Sequence, residues 1–82
     1  EQNYPNPFNP LTTINYQLQV GGFVTLKVYD VLGREVETLV SGPQAAGFHT
    51  APFNGTKLAS GVYFYQMRID NYISTKKMLL LK

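Results

Sequence analysis

The chain has 82 residues, 44% of them apolar, with seven Lys and Arg against five Asp and Glu, and no cysteine. That length is one small domain and excludes a two-domain enzyme, since a single core must offset about 1.5 kcal/mol of chain entropy per ordered residue. A net charge of +2, with no basic run interleaved with aromatics, argues against nucleic acid as a partner. The absence of cysteine excludes disulfides and thiolate metal sites. The longest apolar run, residues 78–81, is far short of a membrane span, and the N-terminus lacks the basic-then-apolar layout of a signal peptide. The expectation is a soluble domain, with no membrane insertion, of the kind that a longer chain carries.

Residues 1–10 read as a proline-rich lead-in strap. Prolines at 5, 7 and 10 forbid a helix and hold Tyr4, Asn6 and Asn9 extended or in turns, and Tyr4 and Phe8 are expected to pack on the domain behind them. Residues 11–82 then break into short β-favouring runs separated by Gly and Asn. Residues 12–18 alternate Ile14, Tyr16 and Leu18 on one face with Thr13, Asn15 and Gln17 on the other, the pattern of a half-buried antiparallel strand. After Gly21-Gly22, residues 23–30 place Val24, Leu26 and Val28 inward and Thr25 and Lys27 in water. Asp30-Val31-Leu32-Gly33 is a tight connection whose Gly33 takes the positive φ of a bulged type I turn, and residues 34–40 return.

Ser41-Gly42-Pro43 and Ala46-Gly47 bracket an expected loop. Residues 48–53 form a short strand in which Pro52, having no N–H, marks an edge or a bulge. Asn54-Gly55 opens another turn, and residues 62–69 and 72–81 are joined by the two-residue hairpin signal Asp70-Asn71. No gap holds a crossover helix, so the sheets are antiparallel. Six strands, with a seventh allowed in the strap, predict an all-β, immunoglobulin-like antiparallel sandwich of six to seven strands; a small closed barrel is the alternative. The expected core is Ile14, Tyr16, Leu18, Val24, Leu26, Val28, Val36, Tyr63, Tyr65, Met67, Met78 and Leu80, with Lys27, Arg68 and Lys76 exposed.

Catalytic chemistry finds little support. His49 is the only histidine, has neither a nucleophile motif nor nearby ligating partners, and is expected to face outward from its strand. Glu35 and Glu37 share a face about 7 Å apart, a glycosidase-like spacing, but nothing apolar walls them in, so they read as a solvated acidic face. Phe64 is expected to pack in the core or under the strap; the competing use is an aromatic platform for a sugar ring. Asn54-Gly55-Thr56 fits the glycosylation acceptor pattern and equally a turn. Lys76, Lys77 and Lys82 flank the apolar run of the last strand, either as gatekeepers against aggregation or as part of a segment that a partner reads by strand pairing, with Leu79 and Leu81 outward. No catalytic, cofactor or metal residue is assigned.

Five ordered blocks carry a resemblance: Asn3-Tyr4-Pro5-Asn6-Pro7-Phe8-Asn9-Pro10, Val28-Tyr29-Asp30-Val31-Leu32-Gly33-Arg34-Glu35-Val36, Ala46-Gly47-Phe48-His49, Leu58-Ala59-Ser60-Gly61-Val62-Tyr63-Phe64-Tyr65, and residues 75–82. In order and spacing they resemble the type A C-terminal sorting domain of the bacterial type IX secretion system, a family that also looks related to the immunoglobulin-like domain of flagellar hook-capping proteins. The resemblance implies a non-enzymatic, cofactor-free address. It would direct an N-terminal cargo domain of the same precursor from the periplasm through the translocon to the cell surface or beyond, where a surface sortase commonly removes it. Gly33, Gly47 and Gly61 match the family's turn glycines, Lys77 and Lys82 its closing lysines, and Lys82 as final residue fits the terminal position. Gln19 and Pro52 depart from the pattern, Pro52 placing the pairing of its strand in question. The alternative function is a structural or carbohydrate-binding sandwich accessory to a secreted enzyme.

Overall fold

Alternation of apolar and polar residues, set off by Gly, Asn and Pro, produces six strands in a computed structural model that describes Pro7 and residues 9–81. They are β1 (Leu11–Leu18), β2 (Gly22–Tyr29), β3 (Glu35–Gln44), β4 (Gly47–Asn54), β5 (Gly61–Ile69) and β6 (Tyr72–Leu80). β1 and β4 form a two-stranded sheet, and the other four form a sheet of order β3-β2-β5-β6, every pair antiparallel. The inner faces meet in one core. Ile14, Leu26, Val24, Val28, Met78 and Leu80 are fully buried there, with Tyr16, Leu18, Tyr63, Tyr65 and Met67 beside them. Two separate antiparallel sheets face to face make an all-β, immunoglobulin-like sandwich rather than a closed barrel.

A tyrosine corner supports that architecture: near the start of β5, the Tyr63 hydroxyl donates to the Ala59 carbonyl 2.7 Å away, four residues upstream. The β2–β3 hairpin closes as its residues dictate. Gly33 N–H donates to Asp30 O and Asp30 N–H to Arg34 O, both at 3.0 Å, and Gly33 sits at φ 80, where a β-carbon is strained. Gly47 and Gly61 also hold positive φ, at 127 and 150. In the β5–β6 hairpin, Asp70 at φ 51 turns the chain so that Ile69 pairs with Tyr72.

Several expectations need correction. Residues 41–44 are the second half of β3, not a loop, and Pro43 pairs in register with Phe23. β3 is the edge of its sheet, where a strand tolerates the donor that proline lacks. Val36 is half-buried because β3 carries two extra residues. Register runs from Leu26–Val40 to Lys27–Thr38, and from Val28–Glu37 to Tyr29–Glu35, so Leu39 and Val36 bulge out of the ladder while still packing on the core. Pro52 does mark an edge, as expected, and not a bulge: β4 pairs with β1 without a shift from Leu11–Asn54 to Leu18–Gly47, Pro52 lying opposite Thr13 in a sheet whose two strands are both edges. Ala51 and Phe53 complete the core from β4, Phe53 at only 1% exposure. The strap contacts of Tyr4 and Phe8 lie outside the described residues.

Candidate recognition surface

Strict alternation gives β6 two different faces. Met78 and Leu80 are buried in the core, and Ser74 and Lys76 lie in the same phase. Ile73, Thr75, Lys77, Leu79 and, beyond the strand, Leu81 follow the opposite phase toward the outer surface, where Leu81 keeps 47% of its area exposed. Lys82 is outside the described residues. Among the described candidates, Lys76 therefore does not share a face with Lys77, Leu79 and Leu81.

On the outer face, cross-strand pairing assembles a mixed patch. Lys77 pairs with Phe64, which pairs on its other side with Tyr29, and Leu79 pairs with Val62. Phe64 is half-buried there rather than in the core, because Tyr63 and Tyr65 take the inward phase of β5. Farther along the same face, Gln66 Nε2 donates to Thr75 Oγ1 at 3.2 Å, and Arg68 stands exposed opposite Ile73. Lys27 is only half-exposed, because its ammonium meets Glu35 Oε1 at 3.2 Å.

Lys76 is half-buried, not exposed, because it shares the inward phase of Met78 and pairs with the buried Tyr65. It borders a cleft of about 540 Å³ between the second half of β1 and the β5–β6 hairpin, walled by Tyr16, Leu18, Met67, Tyr72 and Ser74. The Cα traces of β1 and β6 stay more than 8 Å apart along this flank. Two ion pairs are formed among the described residues, Lys27–Glu35 and Asp30–Arg34, and Lys76 belongs to neither.

The remaining candidates resolve into structural roles. His49 faces inward, opposite Tyr16, and stacks on it with ring centroids 5.2 Å apart and planes 18° from parallel, because it shares the phase of Ala51 and Phe53. Its Nε2 lies 2.7 Å from Ala45 O, and the Tyr16 hydroxyl donates to Gln44 Oε1 at 2.9 Å, so the pair ties β1 to the β3–β4 connection. Burial raises the Tyr16 pKa. Glu35 and Glu37 lose their strict common face to the bulge at Val36, pairing with the adjacent residues Tyr29 and Val28. Glu35 Oε2 accepts from the Thr38 hydroxyl at 2.6 Å; that bond and Lys27 hold its carboxyl below the usual range. Asn54 Oδ1 accepts from both the N–H and the hydroxyl of Thr56, a side-chain-closed turn. No group of three or more His, Asp or Glu among the described residues is placed to hold a metal.

The chain is thus a two-sheet sandwich whose last strand carries a basic-apolar outer face. Residues 2–81 match the family described as the secretion system C-terminal sorting domain, and the chain belongs to that family. It is thus a sorting-signal domain of the type IX system, marking proteins for export to the cell surface or extracellular space. A search of curated proteins finds no match. Among the described residues no helix is long and apolar enough to cross a membrane.

Proposed function

We propose that the translocon reads this domain through the flank formed by β6, with Lys77, Leu79 and Leu81 on its outer face, Lys76 at the cleft and Lys82 closing the signal. In this reading residues 1–10 join the signal to its cargo, residues 11–82 are the folded address, and a surface sortase removes it after export. The observation that carries the reading is the family match over residues 2–81. The division of β6 into an inward anchor, Met78 and Leu80, and an outward basic-apolar row supports it, since anchor and row are separable by mutation. Gly33, Gly47 and Gly61 serve the turns that hold this surface and are not themselves contacted.

The test is a fluorescent reporter with a periplasmic export signal, fused to residues 1–82 in a host with a type IX system. The wild-type fusion should appear outside the cell. The Lys76→Ala/Lys82→Ala and Lys77→Ala/Leu81→Ser variants should remain folded by circular dichroism and accumulate in the periplasm. Wild-type export of both variants would exclude these side chains as the signal, and export with the domain still attached in a sortase-competent host would exclude the processing step.

A further inference from the structure

We infer that the cleft beside Lys76 receives an acidic, extended segment of a partner protein, which adds along the Tyr72–Lys76 half of β6 and seats an aspartate or glutamate on the Lys76 ammonium. The inference rests on the sorting reading of this flank and names the chemistry of the partner. Three observations meet here. β6 ends the strand order of its sheet among the described residues, and β1 stands too far away to pair with it. A strand pairs about 4.8 Å from its neighbour, so an incoming segment would take the place beside β6. The cleft lies on this flank, lined among others by Leu18, Met67, Tyr16 and Tyr72. Lys76 is half-buried at its edge, in neither of the ion pairs the described residues form, and Asp70, at the hairpin end, is the one carboxylate among the described residues that line the cleft. A half-buried cation on the strand that ends its sheet among the described residues selects for a carboxylate on the inward phase of an incoming strand and disfavours a basic one. A second copy of this chain is a poor occupant, because antiparallel pairing of two β6 strands about their midpoint sets Lys76 against Lys76.

The 82-residue chain, isotope-labelled, is titrated with two nine-residue threonine-valine peptides that differ only at the central position, glutamate in one and glutamine in the other. The glutamate peptide should shift the amides of residues 72–76 and 14–18 and bind at least tenfold more tightly. Lys76→Gln should erase that difference, Lys76→Arg should keep it, and Lys76→Glu should favour a lysine peptide. Equal affinities for the two peptides, shifts confined to the β3 edge, no shifts at millimolar peptide, or concentration-dependent dimerisation through β6 in sedimentation would each overturn the inference. The sorting reading fails separately, when the wild-type reporter stays in the periplasm whatever the peptides do.

Discussion

Lys76 lies directly across the β5–β6 ladder from Tyr65, on the inward phase of its strand, whereas its neighbour Lys77 lies across from Phe64 on the outward phase. Adjacent lysines thus serve opposite faces of one sheet. Lys76 is half-buried and lines the cleft, a setting that long cationic side chains suit because their stems tolerate burial. Lys76→Gln is accordingly expected to move the thermal midpoint by only a few degrees while changing recognition. Thermal unfolding paired with the export assay checks this.

Phe53 and Phe48 occupy the same strand with opposite burial, 1% against 77% exposed. Phe53→Ala should cost about 3–5 kcal/mol, most of the stability a domain of this size has, and leave it unfolded or barely folded at 37 °C. Phe48→Ala should be nearly neutral. Urea denaturation of both variants makes the comparison, and a large loss from Phe48→Ala would contradict the register of β4.

Gly33 stands at φ 80 with open space around the position a β-carbon would take, so the penalty for substitution is conformational and not a clash. Gly33→Ala should cost about 1 kcal/mol, or roughly 4–8 °C in Tm, and Gly33→Asn less, because asparagine enters the left-handed region more readily. Equal midpoints for wild type and Gly33→Ala would rule out the bulged turn.

The tyrosine corner gives a fourth test. Tyr63→Phe removes the donor to Ala59 O while preserving the ring, and should destabilise by about 1 kcal/mol. Isothermal denaturation at neutral pH measures it.

The Asp30 carboxylate accepts from the Arg34 N–H at 3.0 Å, from the Leu32 N–H at 2.9 Å and from Arg34 Nε at 2.8 Å. The Arg34 backbone bond, followed by the guanidinium and the Leu32 N–H, holds its pKa below the ordinary value, and Glu35 is lowered by Thr38 and Lys27. A carboxyl whose pKa falls on folding stabilises the native state when ionised. That contribution is complete above the unfolded value, near 4, and is lost as pH drops through the lower folded value. Stability should therefore decline below about pH 4. Asp30→Asn should flatten that acid limb, and high salt should weaken the effect because the site is open to solvent. A denaturation series from pH 7 to pH 2 reads both.

Local alternation determined much of this protein. The strands other than the second half of β3, the inward phase of Ile14, Val24, Tyr65 and Met78, the turn at Gly33 and the hairpin at Asp70-Asn71 were legible in the chain, because strand period and turn chemistry are properties of a few consecutive residues. The inward phase of Lys76 was legible too, since it is two residues from Met78, but its charge points to water until the neighbouring strand is placed. Three features belong to the tertiary structure alone: the bulges that displace Val36 and Leu39, the inward stacking of His49 on Tyr16, and the cleft between β1 and β6. Each depends on which strands become neighbours and in what register, and pairing between residues some thirty positions apart, as in Tyr16 with His49, leaves no local periodic trace in either strand.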